Sequence, residues 1–158
     1  MKTQQLIDNL VETAKKGIKY NIENPNCVTG KYEELIPAMI ILTKDDTYEV
    51  CILSAKKEEM PNLMKTILTQ RQAKAYVLIL EVWATPFYEE ASRYNWRIRD
   101  MPEDDKSEIA QAMLVTKDGG CTNYSMAVIE HSENGRILRE WKDEVPDTIK
   151  GSFLVTDW

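Results

Sequence analysis

The last third of the chain contains three apolar segments separated by two short turns, and this pattern constrains the fold more than any other. The segments cover residues 109–116, 122–131 and 136–141. The first turn contains Asp118-Gly119-Gly120 and the second contains Asn134-Gly135. Asp-Gly and Asn-Gly supply the positive φ angles that tight hairpins require. The spacing therefore predicts a three-stranded antiparallel meander at the C-terminal end.

A strongly apolar segment precedes the meander. Residues 76–83 read Tyr-Val-Leu-Ile-Leu-Glu-Val-Trp, so both alternating faces of an extended chain are mainly apolar there. Such a strand needs cover on both sides, which predicts a central position in the sheet. Further upstream, the apolar segments 37–43 and 47–54 are separated by Lys44, Asp45 and Asp46, which predicts a hairpin.

Two segments have the apolar spacing of amphipathic helices. The first helix is predicted to begin after the capping residue Thr3 and to end at Gly17. Its apolar stripe consists of Leu6, Ile7, Leu10, Val11, Ala14 and Ile18. The second helix is predicted over residues 61–75, because proline is tolerated in the first turn of a helix. Its apolar stripe consists of Met60, Leu63, Met64, Ile67 and Leu68.

Together these elements predict an α+β fold. Because most consecutive strands are joined by short turns, we expect a mainly antiparallel sheet with the two amphipathic helices packed on one face. The second helix also permits one parallel strand pair, between residues 47–54 and 76–83. Residues 153–156 are expected to add an edge strand or to dock against the core. No stretch has the composition of a linker, so residues 1–158 are expected to form a single α+β domain.

Composition and charge exclude several classes of protein. No run approaches the ~18 apolar residues of a membrane-spanning helix, and no heptad pattern is sustained. The net charge of −6 disfavours nucleic-acid binding, because an acidic surface repels phosphates. Cys27, Cys51 and Cys121 are widely spaced and odd in number, and the first residues lack a signal-peptide pattern. We therefore expect free thiols and a cytoplasmic location.

One region of the chain resembles a known group of proteins. A strand ending in Glu81-Val82-Trp83 is followed by the loop Met101-Pro102-Glu103-Asp104-Asp105 and by a strand that opens at Glu108. This arrangement resembles a group of small uncharacterised bacterial and phage proteins, in which a strand ending Glu-x-Trp precedes a Pro-acidic loop and a strand led by Arg-Glu-Glu. Lys106-Ser107-Glu108 stands in that last place here. The resemblance implies a strand–loop–strand layout and no particular activity.

Glu81 is a carboxylate on an otherwise apolar strand face. By alternation it shares that face with Val77, Ile79 and Trp83. Burying a carboxylate without a partner costs free energy and raises its pKa. Two interpretations follow. Glu81 is either a general base or metal ligand at the end of the central strand, or a structural carboxylate bonded to Arg, Lys or a backbone N–H.

The loop after the central strand supplies further carboxylates. Glu81, Asp105 and Glu108 are the candidate catalytic residues, either as acid and base or as metal ligands. Residues 97–108 could also offer oxygen ligands to a hard cation, but the EF-hand spacing is absent and a solvated charged loop is the simpler interpretation. No nucleophile motif involves His131, the single histidine, and no phosphate-binding loop occurs. The sequence therefore predicts no resident metal and no cofactor.

Aromatic and basic residues in the same region suggest a contact surface. Trp83, Trp96, Arg97 and Arg99 are the candidate ligand- or partner-binding residues, because Trp and Arg are enriched at interaction hot spots. Two alternatives stay open. The aromatic residues could pack in the core, and the arginines could neutralise the neighbouring acids rather than clamp a carboxylate or phosphate.

The absence of a catalytic signature and the aromatic loop favour a non-enzymatic binding or regulatory module with an unknown protein partner. A homodimer is possible, because an exposed edge of the meander could pair across a two-fold axis. The alternative is a small hydrolase, metal-dependent or acid–base, that uses carboxylates near the end of the central strand. The sequence leaves open whether the protein is an enzyme.

Overall fold

The structure is a computed structural model that describes residues 2–133, 135–144 and 154–158. The strands are β1 (Ala38–Leu42), β2 (Tyr48–Ile52), β3 (Ala75–Ala84), β4 (Ser107–Thr116), β5 (Gly120–Ser132), β6 (Gly135–Leu138) and β7 (Lys142–Glu144). They form one antiparallel sheet in the order β2-β1-β3-β4-β5-β6, and β7 also pairs with β5. The helices are α1 (Lys2–Glu23), α2 (Met60–Gln70) and α3 (Tyr88–Arg93), with short 3-10 turns at Lys57–Glu59, Ile98–Asp100 and Glu103–Asp105. The predicted α+β class is confirmed.

The predicted meander consists of β4, β5 and β6. Ser132 of β5 lies opposite Gly135 of β6 across the second turn. Gly120 and Gly135 have φ angles of 65° and 138°, which confirms that the chain has positive φ angles at both turns. Asn134 lies outside the described residues. A Cβ on Gly135 would also lie 2.5 Å from the Tyr32 ring, so that ring would have to shift to admit any other residue.

The central strand β3 lies between β1 and β4 and is antiparallel to both, so the permitted parallel pair does not form. Val77 and Ile79 pack on the face covered by α1, whereas Tyr76, Leu78 and Leu80 pack on the face covered by α2. The expectation that both helices pack on one face is therefore wrong. A strand that is apolar on both faces must be covered on both, and one helix on each face provides that cover.

The helix boundaries differ from the predicted ones. Gly17 does not end α1, because Ile18 and Ile22 continue its buried stripe. Helix α2 ends before the predicted boundary, because Gln72 has a φ of 48° and Ala75 already belongs to β3. Within the described residues, no helix combines the length and the apolar character needed to cross a bilayer.

Residues 154–158 dock against the face of the sheet that carries α2, which is one of the two outcomes expected for this segment. The N–H of Val155 donates to the Tyr76 hydroxyl (2.9 Å), which in turn donates to the carbonyl of Val155 (2.7 Å). The indole N–H of Trp158 donates to the carbonyl of Ala73 (2.8 Å). Phe153 lies outside the described residues.

Candidate functional site

Four neighbouring strands bring polar side chains to one end of the sheet. Glu81 lies near the end of β3, Glu108 near the start of β4, His131 near the end of β5 and Arg136 near the start of β6. In an antiparallel sheet the end of one strand lies beside the start of the next. Alternation along each strand places all four residues on the face that carries α1. Sheet pairing thus brings together residues that are distant in sequence.

Glu81 and Arg136 form a buried ion pair in which each side chain is 4% exposed. Glu81 Oε1 accepts hydrogen bonds from Arg136 Nη2 and from the N–H of Leu35 (3.2 Å). Arg136 Nη1 donates to the carbonyl of Glu33. These are the bonds expected of a structural carboxylate, and they tie β3 and β6 to the loop before β1. Glu81 Oε2 and Arg136 Nε are buried and have no hydrogen-bond partner among the described residues.

Burial dominates the electrostatics of Glu81. Removal from water raises the pKa of this carboxyl, and the nearby Glu108 carboxylate raises it further. The hydrogen bond and charge of Arg136 and the N–H of Leu35 act in the opposite direction without outweighing burial. Glu81 therefore holds a proton more readily than an exposed glutamate does.

Glu34 and Glu108 join Glu81 in a group of three carboxylates. One oxygen from each residue lies within 4.8 Å of the oxygens of the other two. Glu108 is buried and its Oε2 bonds to Nε2 of His131, whose side chain is mostly exposed. Glu34 is exposed and forms an ion pair with Arg99 (3.1 Å). We call Glu34, Glu81 and Glu108 the carboxylate cluster.

Of the predicted catalytic residues, the structure brings Glu81 and Glu108 together but does not add Asp105. Asp105 lies in the 3-10 turn before β4, where its backbone carbonyl accepts a hydrogen bond from the Thr85 hydroxyl (2.5 Å). Glu34 is the third member instead. No pattern around Glu34 signals this position, because the residue reaches the cluster from an irregular loop before β1.

The predicted partner-binding residues have two different environments. Trp83 lies opposite Glu108 in the pairing of β3 with β4, and Arg99 forms the ion pair with the cluster. Trp96 and Arg97 are mostly exposed, and Arg97 Nε lies 3.9 Å from Asp100 Oδ2. Both arginines therefore lie beside an acid, which is one of the two interpretations of the arginines, while the Trp96 side chain is accessible for contact.

A second candidate site lies at the edge of the sheet formed by β2. Within the described ranges β1 is the only strand that pairs with β2, so the outer edge of β2 is open. The N–H of Leu53 donates to the carbonyl of Pro37 (2.8 Å), which identifies this pair as a hydrogen-bonded one. Bonded and non-bonded pairs alternate along an antiparallel ladder. Tyr48, Val50 and Ile52 therefore direct their backbone N–H and C=O groups away from β1.

The side chains of this edge lie beside an apolar groove. Val50 lies opposite Ile40 and Ile52 lies opposite Ala38, so these side chains share the face that carries α1. Val50 is 64% exposed and Ile52 is 56% exposed. They border a groove of about 460 Å³ between α1, the loop before β1 and the hairpin. Its apolar lining includes Ala14, Ile18, Ile36, Ile40, Val50 and Ile52. We call this space the β2 groove.

Comparisons with known proteins give no match for this chain. No family model, no curated protein and no solved structure matches it. The resemblance of the strand–loop–strand region to bacterial and phage proteins stays a prediction. A functional proposal therefore has to come from the geometry of the carboxylate cluster and the β2 groove.

Proposed function

We propose that this protein is a non-enzymatic binding module that takes an extended segment of a partner protein onto the edge of β2. The observation that carries the proposal is the open edge itself, where exposed Val50 and Ile52 border an apolar groove. Contiguous exposed apolar surface marks interaction sites, and an open strand edge is a template for another strand. Strand addition to a sheet is an established mode of peptide recognition.

Backbone groups supply much of the affinity in this mode. Tyr48, Val50 and Ile52 each present an outward N–H and C=O, and each can exchange both hydrogen bonds with one residue of an incoming antiparallel strand. The edge strand has 5 residues, so the partner segment is of similar length. Because backbone groups are common to all sequences, the selectivity has to come from the groove.

The β2 groove selects side chains of the partner segment. A strand beside β2 places every second side chain on the face that carries α1, where the groove walls are apolar. Glu33 and Glu34 are the charged residues that line the groove, and no described lysine or arginine lines it. The favoured segment therefore has apolar residues at alternate positions and a basic residue near Glu33 and Glu34.

The environment of Glu81 favours the binding module over the hydrolase alternative. A general base must lie within hydrogen-bond reach of the proton that it removes from a substrate. The side chain of Glu81 is 4% exposed and is bonded to Arg136. Asp105, the predicted catalytic residue on the loop between β3 and β4, does not belong to the carboxylate cluster. These contacts support a structural or ligand-holding carboxylate rather than one that meets a substrate.

The predicted cellular setting of the module is the cytoplasm. Cys27 is exposed, Cys51 and Cys121 are partly buried, and all three are free thiols. Free thiols persist in reducing compartments. We therefore expect the partner to be a cytoplasmic protein with an accessible extended segment.

Selection from a library of short random peptides tests this proposal. The library is selected on the wild-type protein, and the affinity of each enriched peptide is then measured for wild type and for the Val50→Lys variant. We expect enriched peptides that alternate apolar and polar residues and carry a lysine or arginine. Their affinity should fall at least about tenfold, which corresponds to about 1.4 kcal/mol, in Val50→Lys. Ile137→Lys is the matched control, because Ile137 is an exposed apolar strand residue at the opposite edge.

The outcomes of this experiment separate three cases. Peptides that bind wild type and Val50→Lys equally well would refute the assignment of the site to β2. Native mass spectrometry over a concentration series then tests a second copy as the occupant. A wild-type dimer that becomes a monomer in Val50→Lys, but not in Ile137→Lys, would replace the partner protein by a homodimer.

A further inference from the structure

We propose that the carboxylate cluster binds a divalent metal cation, with Glu34, Glu81 and Glu108 as oxygen ligands. The inference does not rest on peptide binding, because the two proposals have only Glu34 in common and are tested by different measurements. The sequence predicts no resident metal, but its hydrolase alternative includes Glu81, Asp105 and Glu108 as metal ligands. The tertiary structure replaces Asp105 by Glu34, so the cluster joins two strands and the loop before β1.

The spacing of the carboxylates fits one shared ion. Metal–oxygen bonds are about 2.0–2.2 Å long for zinc and magnesium and about 2.3–2.6 Å long for calcium. Two oxygens on opposite sides of one ion are therefore about 4–5 Å apart. The three cluster oxygens all lie within 4.8 Å of one another. A single ion can therefore contact Glu34, Glu81 and Glu108 together.

A buried oxygen without a partner provides a second, separate indication of a ligand. Glu81 Oε1 is bonded to Arg136 and to the N–H of Leu35. Oε2 of the same carboxylate is buried and accepts no hydrogen bond from any described residue. A buried acceptor that lacks a partner costs free energy, and native structures rarely leave one. A cation within the cluster would give this oxygen the partner that the protein does not provide.

The charges around the cluster also favour a cation. Arg136 and Arg99 each pair with one of the carboxylates. The third carboxylate, that of Glu108, is buried and bonds to His131. Carboxylates this close to one another repel. A divalent ion bound among the three carboxylates removes that repulsion.

Two of the cluster carboxylates lie on fixed interior strands, and the cluster is accessible from solvent. Glu81 and Glu108 lie on β3 and β4, two paired strands in the interior of the sheet, so their backbones are fixed before any ion binds. Glu34 and His131 are exposed and lie on the solvent side of the cluster. An ion can therefore enter past Glu34 and His131 and meet ligands that are already in place.

The donor set defines the class of ion. Carboxylate oxygens suit Mg²⁺, Ca²⁺ and Mn²⁺. Three carboxylates therefore suit a hard divalent ion of this class. Because Mn²⁺ is paramagnetic, it also serves as the probe for the site.

Electron paramagnetic resonance with Mn²⁺ tests the proposal, because the signal of the free ion decreases when the ion binds to protein. We expect one tightly bound Mn²⁺ per wild-type chain. Glu34→Gln should weaken binding at least about tenfold, as expected for a group that holds or supports a metal. Glu34 is exposed, so this variant is expected to fold. Glu103→Gln is the matched control, because it removes the same charge from an exposed residue outside the cluster.

Arg99→Gln should change the affinity for Mn²⁺ in the opposite direction to Glu34→Gln. Removing the arginine that competes for Glu34 should strengthen Mn²⁺ binding, by up to about fivefold for a surface ion pair. Glu108→Gln should abolish binding, and circular dichroism checks that this variant folds. Absence of a stoichiometric site in the wild type would overturn the proposal. Equal binding by wild type, Glu34→Gln and Arg99→Gln would overturn it as well, since the cluster would then be an internal ion-pair network only.

Discussion

The two edges of the sheet present different surfaces to solvent. At one edge β2 is a regular strand of 5 residues whose Val50 side chain is mostly exposed. At the other edge β6 and β7 have 4 and 3 residues, and each pairs with only part of β5. The N–H of Leu138 in β6 donates to the carboxylate of Glu23 on α1 (3.1 Å). Arg139, next along the chain, forms an ion pair with Glu130 of β5.

This difference shows which edge is protected. Short strands, charged side chains and cover by a helix are devices that keep a sheet edge from pairing with another chain. All three occur at the β6 edge. At β2 the Arg71–Glu49 ion pair is the charged feature of the strand, and the apolar side chains of Val50 and Ile52 stay exposed. An open edge of this kind, opposite a protected one, supports β2 as the contact surface.

The largest expected effect comes from breaking the buried ion pair between Glu81 of β3 and Arg136 of β6. Arg136→Met leaves the buried Glu81 carboxylate without its charged partner. We expect the free energy of unfolding to fall by about 3–5 kcal/mol, because an unpaired buried charge is strongly unfavourable. Urea denaturation followed by circular dichroism measures this change.

Two further variants give the Arg136 prediction its controls. Arg139→Met removes an exposed arginine from the same edge and should leave the free energy of unfolding unchanged within error. Glu81→Leu combined with Arg136→Met should recover much of the loss, because apolar replacements of a buried ion pair are tolerated. The prediction is wrong if Arg136→Met costs no more than Arg139→Met.

An intermediate effect is expected when the hydrogen bond from the Leu138 N–H of β6 to the Glu23 carboxylate of α1 is weakened. Glu23→Gln weakens the acceptor of the Leu138 N–H and should destabilise the protein by about 1 kcal/mol near neutral pH. The hydrogen bond from Lys19, followed by the N–H of Leu138, lowers the pKa of Glu23. A carboxyl whose pKa is lower in the folded state stabilises the fold at higher pH only.

The lowered pKa of Glu23 determines how the effect of Glu23→Gln depends on pH. The stabilisation by Glu23 is present above the usual glutamate pKa of about 4.3 and is lost as the pH falls through its lower folded value. The difference in unfolding free energy between wild type and Glu23→Gln should therefore shrink on acidification. Urea titrations near neutral pH and near pH ~3 compare the two proteins. Glu12→Gln removes an exposed carboxylate of α1 as the control, and a difference that grows in acid would contradict the assignment.

The smallest effect is expected at the open edge. The hydroxyl of Tyr48 donates to the carbonyl of Leu6 (2.5 Å) and joins β2 to the first part of α1. Tyr48→Phe removes this partly exposed hydrogen bond and should cost about 0.5–1 kcal/mol. Thermal and urea unfolding measure the change, with Tyr20→Phe as an exposed control on α1. A much larger loss would mean that α1 protects this edge more strongly than the exposure of Val50 indicates.

The fold could be predicted where its determinants are local. The meander follows from alternating apolar residues and from glycines at Gly120 and Gly135, whose positive φ angles are properties of a few neighbouring residues. The central position of β3 follows from its two apolar faces. The placement of α1 and α2 on opposite faces could not be read from either helix, because an apolar stripe shows that a face is buried but not against which layer.

The candidate sites were less accessible to prediction. Glu81 is identifiable because a carboxylate within an apolar strand is unusual, and Glu108 because it opens the next strand. Glu34 and Arg136 carry no such signal, since Glu34 lies in a polar loop and a charged residue such as Arg136 is ordinary at the start of a short strand. The open edge at Val50 is also invisible in the sequence, because strand order decides which hairpin strand lies outermost.

The sequence by itself determined the α+β class, the antiparallel meander and the unusual position of Glu81. These depend on alternation, turn glycines and the cost of a charge on an apolar face, which act over a few residues. Only the tertiary structure decided the strand order, the faces of the two helices and the convergence of Glu34, Glu81 and Glu108. Such contacts join residues far apart in the chain. They form because burying both faces of β3 fixes which segments become neighbours, and no local pattern records that outcome.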